Sequence, residues 1–499
     1  MGPTVTDNAG VRASTITSTP YLDIRETHTG IVVLVGDRAY KGKKPITTDF
    51  LDFSTAAARE RVCAREVELN RRLAPDSYFG VAHLTDPSGG PAEPVVVMRR
   101  YADACRLSMM VREGDSAAAL LTQIAEKLAE FHAEADRSRG IDTQGTVNAV
   151  HARWLANISE FGPFVGSVVS ADRIQELRAL ADRYVVGRSA LFTARIEDRR
   201  IVDGHGDLLA DDIFCPPCGV QILDCLEFDD SLRYVDAIDD IAFLAMDLEY
   251  LGAKELADHF LDQYSRLTRD LAPSSLKDFY IAYRAMVRAK VDCIRVSQGH
   301  AAAGIDATRH LDLAIAHLRA GAVRVVLVGG GPGTGKTTLA RRLAEQFGAE
   351  MISTDDVRGE LQEPGAVGGT RGVLGGGLYS DENVTAVYDT VLRRAQPLLA
   401  GGQSVVLDGT WRDPRQRAKA HDLARETHSV VGQILCAASP ETAASRVGLR
   451  PPGPSDATPE IAVSLAQDQC HWREASVVDT ARPLPETIRY AETLWHGMV

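Results

Sequence analysis

The pattern of apolar and polar positions divides the chain into three stretches. From Gly30, an apolar run Ile31 to Val35, a Gly36-Asp37 break and a second run Ala39 to Ile46 predict strand, turn and strand. Thr55 to Leu73 carries helical spacing and Pro94 to Met98 a further strand, giving a small β-rich part with one helix. From about residue 105 to 320 helical spacing dominates, as in Leu121, Ile124, Leu128 and Phe131. The exception is a β-like patch near 200–228, where two short apolar runs flank Cys215-Pro-Pro-Cys218. Near residue 321 the pattern changes again. Strands at Val325–Val328, Met351–Ser353, Val405–Leu407, Gly432–Leu435 and Ser476–Val478 alternate with helical or Gly-rich text, which predicts an α/β domain with a parallel five-stranded sheet. Gly365 to Gly377, with seven glycines, is read as a flexible loop of that domain. Residues 1–24 lack periodicity and are read as a flexible N-terminus. The expected division is therefore 25–320, with a β-rich lobe over about 25–104 and a helical lobe over about 105–320, followed by 321–499. Each half has a complete pattern and is expected to fold alone.

Composition narrows the function class. With 45% hydrophobic and 25% charged residues in 499, the chain is globular and long enough for several cores. The 55 Lys+Arg against 68 Asp+Glu give a net charge of −13, a diffuse acidic balance that argues against nucleic acid or an anionic membrane as partner. No apolar run approaches the roughly 18 residues of a membrane span. The start, MGPTVTDNAG, has neither the basic nor the apolar region of a secretory leader. Eight scattered cysteines fit a reduced protein, so the expected location is the cytoplasm. Cys215 and Cys218 lack a second pair to complete a zinc site and are read as flanking a Pro-Pro turn before Gly219. Lysine is scarce, nine of the 55 basic residues, which makes each lysine in a motif informative.

One such lysine sits in Gly330-Gly331-Pro332-Gly333-Thr334-Gly335-Lys336-Thr337-Thr338, which fits GxxxxGK[ST] directly after an apolar strand. Glycines let backbone N–H groups curl around phosphate oxygens, and a helix N-terminus adds positive potential. Lys336 is placed to reach the β/γ-phosphates and the Thr337 hydroxyl to ligate magnesium. The strand ending in Val405-Val-Leu-Asp408 offers a carboxylate for the magnesium shell. Ser353-Thr-Asp355-Asp356-Val-Arg358 lies just past another strand, where open α/β sheets place substrates. This segment resembles P-loop small-molecule and polynucleotide 5′-hydroxyl kinases. The resemblance implies that Asp355 is the base toward an acceptor hydroxyl and that Arg358 contacts substrate or phosphate. A helix N-cap is the alternative for Asp355. Arg446 and Arg450, four apart, resemble lid arginines that close over ATP, with a solvated helix face as the alternative.

A second phosphate-type constellation precedes this domain. His205-Gly-Asp207-Leu-Leu-Ala-Asp-Asp212 and, after the Cys-Pro-Pro-Cys turn, Gln221-Ile-Leu-Asp224 set out a base, a metal ligand five residues on, a hairpin and a second metal ligand. The order resembles the aminoglycoside phosphotransferase-like branch of the protein-kinase fold, which implies Asp207 as base and Asp212 and Asp224 as magnesium ligands. Lys41 ends a strand as the kinase ATP lysine does, with Lys43 next in line on the same face, and Glu66 matches the partner glutamate on its helix. Asp236 and Asp240 would be structural carboxylates. Two departures stand out: Asp212 occupies a position that is usually Asn, and Glu26-Thr-His-Thr29 stands where a Gly-rich loop would cover the phosphates.

Together the two constellations resemble a bacterial fusion of an aminoglycoside phosphotransferase-like domain with a P-loop small-molecule kinase-like ATP-binding domain, over about residues 25–490. That implies an α+β kinase-like two-lobed domain followed by an α/β P-loop domain. It also implies ATP and magnesium as cofactors and a small-molecule hydroxyl as acceptor. The alternative is a regulatory protein in which a pseudokinase is coupled to a P-loop ATPase switch.

Overall fold

The computed structural model describes residues 20–26, 30–47, 52–85, 87–114, 117–363, 365–370, 376–449 and 472–499. It forms two compact units, Met1–Asp115 with Ala210–Asp229, and Ser116–Leu209 with Asp230–Val499. Thr27 to Thr29, Arg450 and residues 1–19 of the expected flexible terminus lie outside the described residues.

The first unit is built on an antiparallel sheet of β1 (Leu22–Glu26), β2 (Gly30–Val35), β3 (Arg38–Lys43), β4 (Tyr78–Leu84) and β5 (Glu93–Arg99), in the order β1-β2-β3-β5-β4. The helix Ala56–Asn70 starts where the Thr55 side chain accepts a hydrogen bond from the Ala58 N–H at 3.1 Å, satisfying a free amide of its first turn. It lays Cys63 and Val67 against Leu34, Ala39, Val96 and Met98, and the core is closed by Phe214 and Leu223 from the inserted segment. That segment turns back on itself as a hairpin, Ile213–Phe214 against Gln221–Ile222, with the Gly219 N–H closing the Pro-Pro turn on the Pro216 carbonyl.

The second unit holds the helical stretch and the α/β stretch together. Its helical part includes Ala237–Tyr250, the long Ser274–Ser297 and Ala303–Ala320. The sheet comprises β6 (Arg324–Gly329), β7 (Glu350–Ser353), β8 (Val405–Asp408), β9 (Val430–Ala437) and β10 (Ser476–Asp479), all parallel in the order β7-β8-β6-β9-β10. Central β6 is buried at every position, as its unbroken apolar run requires between two helical layers. The helix Lys336–Phe347 packs Leu339 and Leu343 on Val326, Val328 and Ile434.

Residue 321 does not separate these two stretches cleanly. Arg188, 1% exposed, donates from its guanidinium to the carbonyls of Leu399 and, at 3.0 Å, Thr427, and the Ser275 hydroxyl donates to the Gly402 carbonyl at 2.7 Å. Beside them a Cβ on Gly187 would come within 2.5 Å of the Thr427 carbonyl oxygen, so the approach admits only glycine. Among the described residues, no helix is long and apolar enough to cross a membrane.

Candidate phosphate and acceptor sites

The P-loop leaves the end of β6 through Gly330, Gly333 and Gly335, whose φ values of 144°, 77° and 81° are open to glycine. At Gly333 a Cβ would meet the Ala443 carbonyl oxygen at 2.2 Å, so the loop is also held tight from outside. Gly331 accepts from the Thr334 hydroxyl at 2.8 Å, and Lys336 opens the helix behind Gly335. The loop borders a cavity of about 430 Å³ lined by Gly333, Lys336, Thr337, Thr338, Arg446 and Thr480, among others. The Thr337 hydroxyl donates to Asp408 Oδ2 at 2.7 Å, and Asp408, 3% exposed, closes β8. Its other oxygen, Oδ1, is buried without a hydrogen-bond partner. Burial pushes the Asp408 carboxyl up, against the pull of the nearby Lys336 charge. An orphaned carboxylate oxygen beside a hydroxyl is the donor set a hard divalent cation takes, so Thr337 and Asp408 fit magnesium.

Arg446 is not on a solvated face. It donates to the Thr480 carbonyl at 2.8 Å, the Thr480 hydroxyl at 3.3 Å and the Gly333 carbonyl at 3.5 Å, tying the P-loop to the segment after β10. Asp355 is not the N-cap of its helix, Thr354–Gln362: Ser353 is, accepting from the Asp355 N–H at 3.2 Å. The Asp355 carboxylate instead receives Arg358 Nη1 at 2.5 Å. Arg358 is 7% exposed and lies over the Tyr379 ring at 4.6 Å. Tyr379 precedes Ser380, the N-cap of the helix Asp381–Ala400. From that helix the buried Tyr388 hydroxyl accepts from the Trp411 N–H at 3.1 Å and lies 3.2 Å from the Thr410 hydroxyl, fixing the turn after Asp408. Tyr388 and Trp411 were not singled out from the sequence, where an aromatic at helical spacing reads as core.

In the first unit, strand alternation puts Lys41 and Lys43 on one face of β3 and sends Lys44 to Glu26, 2.7 Å away. Glu66, fully buried, divides its oxygens between the two lysines: Oε1 lies 3.0 Å from Lys41 and Oε2 2.6 Å from Lys43. Lys41 also contacts Asp224, and Lys43 contacts Glu227. Burial would lower the Lys41 ammonium, but Asp224, Glu66 and Glu227 hold it well above its ordinary value. Burial pushes Glu227 up in spite of Lys43. Glu227 was missed in the sequence. The available signal was arithmetic, two lysines on one face against a single glutamate. Asp224 sits at φ 64°, an uncommon backbone for Asp, with its N–H donating to the Tyr78 hydroxyl at 3.2 Å. The Asp212 carbonyl accepts from the Leu223 N–H at 3.0 Å, so the hairpin brings Asp212 beside the residue that precedes Asp224.

Asp207 belongs to the second unit. Its loop is held by the fully buried Asp240, which accepts from the His205 and Gly206 N–H groups at 2.7 and 2.8 Å and pairs with His132 Nε2 at 2.9 Å. Burial would raise the Asp240 carboxyl, yet His132 and the backbone amide of His205 hold it well below the usual carboxylate range. Asp236 is paired with Arg195, 2.6 Å away. Both have the structural place expected of them.

Comparison with known proteins adds to this geometry. A family model described as an AAA domain matches residues 325–469, from β6 onward. An uncharacterized protein of Mycobacterium tuberculosis (strain ATCC 25618 / H37Rv), Rv2004c, is 54% identical over 494 residues, 99% of this chain and 99% of its own. The chain belongs to that protein's family. An adenylate kinase of Thermococcus gammatolerans (strain DSM 15229 / JCM 11827 / EJ3) is 33% identical over 94 residues, 18% of this chain and 39% of its own. Among solved structures, a choline/ethanolamine kinase family protein from Mesorhizobium loti is 15% identical, covering 61% of this chain and 94% of its own at a TM-score of 0.37. The residues matched by the AAA domain model include the P-loop, Gly330 to Thr337.

Proposed function

We propose that the protein is a cytoplasmic ATP- and magnesium-dependent phosphotransferase with two nucleotide sites, each passing the γ-phosphoryl group to a hydroxyl of a small molecule. One observation carries the reading furthest. Lys336 heads its helix beside the Thr337–Asp408 pair, whose second carboxylate oxygen is buried without a hydrogen-bond partner, and Arg358 orients a second carboxylate, Asp355. Lys336 and the loop amides neutralise and position the phosphates. Asp355 takes the proton of the attacking acceptor hydroxyl as its oxygen bonds to phosphorus and the bond to the leaving diphosphate breaks. Magnesium, when held by Thr337 and Asp408, supplies further charge to the same phosphates. In the N-terminal site the corresponding roles fall to Asp207 as base, to Lys41 with Glu66 on the phosphates, and to Asp212 and Asp224 as metal ligands.

A second reading is a regulatory protein, with a pseudokinase part coupled to an ATPase switch. Asp212 in place of the usual Asn and the direct Lys41–Asp224 pair favour it. Transfer from γ-labelled ATP to a metabolite extract decides between the two. The phosphotransferase reading expects labelled product from the full chain and from Lys336→Ala, and loss of the latter on adding Asp207→Asn. A switch would release inorganic phosphate and label nothing.

A further inference from the structure

Two buried lysines and three carboxylates meet in the first unit, where one Lys–Glu pair suffices for phosphate binding. Their surroundings differ. The Lys43 side chain is 1% exposed, and its two partners, Glu66 and Glu227, are 0% and 9% exposed. Lys43 therefore cannot turn toward a ligand without leaving the desolvated Glu227 carboxylate and breaking its contact with Glu66. Lys41 shares Glu66, but its other partner, Asp224, is 42% exposed and stands on an uncommon backbone conformation. A solvent-facing carboxylate can be drawn off by a cation, and a lysine released from it has charge to offer a phosphate.

The charges agree with this division. The five groups sum to −1. Once Asp224 turns to a metal ion, the remaining four, Lys41, Lys43, Glu66 and Glu227, are neutral as a set. Without Glu227 they would be +1, and Lys43 would draw Glu66 toward itself and away from Lys41.

We infer that Lys41 is the phosphate-binding lysine of the N-terminal site, and that Glu227 holds Lys43 in a second, permanent ion pair that neutralises it and so leaves Glu66 to Lys41. Glu227 and Lys43 are thus positioning residues. This rests on the reading of that site as a nucleotide site, and the test separates the two.

The experiment is isothermal titration of magnesium-ATP into the full chain carrying Lys336→Ala, which silences the P-loop site. Lys41→Met should lower affinity at least about a hundredfold, and no second substitution should restore it. Glu227→Gln should cost about tenfold, because one partner of a buried pair is removed. Lys43→Met combined with Glu227→Met removes both charges and should return affinity to within about threefold of the parent. Rescue of that kind distinguishes a positioning pair from groups that touch the ligand. No binding by the Lys336→Ala parent would overturn the nucleotide reading itself. If the parent binds, the inference alone falls when Lys43→Met costs as much as Lys41→Met, when Glu227→Gln binds like the parent, or when the double variant, still melting cooperatively, is not rescued. Should the double variant lose its cooperative melt, the comparison of Lys41→Met with Lys43→Met decides.

Discussion

Lys336 is the one lysine of the P-loop, and the loop around it offers phosphates backbone amides but no second side-chain cation of its own. Lys336→Ala should therefore remove measurable ATP binding at that site, read by titration in an Asp224→Ala background, while the melt stays cooperative. Asp408→Asn keeps the Thr337 hydrogen bond but weakens the cation's charge partner, so it should abolish the magnesium dependence of binding and spare the fold. At the N-terminal site, Asp207→Asn is expected to remove turnover and leave ATP affinity within about threefold, since a base acts in the transition state. Asp212→Asn should leave turnover intact or raise it, because it relieves a negative charge facing the phosphates. These residues were legible because each stands in a fixed spacing beside a strand end. Glu227 was not, because the value of its charge depends on which face of β3 the lysines take and on a fold that brings residues 43 and 227 together. The capping role of Ser353 was equally hidden: only the helix start shows which of Ser353 and Asp355 closes it.

At the scale of elements, apolar runs flanked by glycine or polar text marked β6 to β10 within a few residues, because a parallel sheet buried on both faces demands such runs. β1 and β4 were missed for the opposite reason. β1 alternates exposed and half-buried residues and leaves Leu22 and Ile24 outside, and β4 is interrupted by an irregularity between Tyr78 and Gly80. Both are recruited by pairing with a neighbour. Helix association carries a pH-sensitive tie that no periodicity shows. His317, on Ala303–Ala320, bonds Asp278 at 2.7 Å and Glu249 at 3.0 Å, residues of two other helices. Burial would lower it, but the two carboxylates raise it to about 9. The folded state thus binds its proton more tightly than the unfolded chain, whose histidine titrates near 6.5. The contribution is complete below about pH 6.5 and is lost as pH rises through 9, for a total of about 3 kcal/mol. Denaturant titration at pH 6 and pH 9.5 should show a loss in the parent that His317→Gln largely lacks.

For the whole molecule, the change of pattern at residue 321 was plain in the sequence, but the joint that crosses it was not, since a lone Arg188 between two helices reads like many surface arginines. Its burial lowers the guanidinium to about 10, so the cation is costly there and is held by the carbonyls it meets, with the Ser429 hydroxyl at 3.4 Å. Arg188→Ala should lower stability by about 2–4 kcal/mol through lost charged hydrogen bonds and a cavity. Thermal melts of the full chain would show it as a lower midpoint, with both helical and α/β signals shifted together. A chain divided at 320–321 would carry Arg188 on one piece and the carbonyls of Leu399 and Thr427 on the other. Two halves that each look self-sufficient on paper would then each expose a face shaped for the other, against the expectation that they fold alone. For the gene, this makes the boundary a poor breakpoint. Recombination there would hand each descendant half of a lock, parting Arg188 from the carbonyls of Leu399 and Thr427 and Ser275 from that of Gly402.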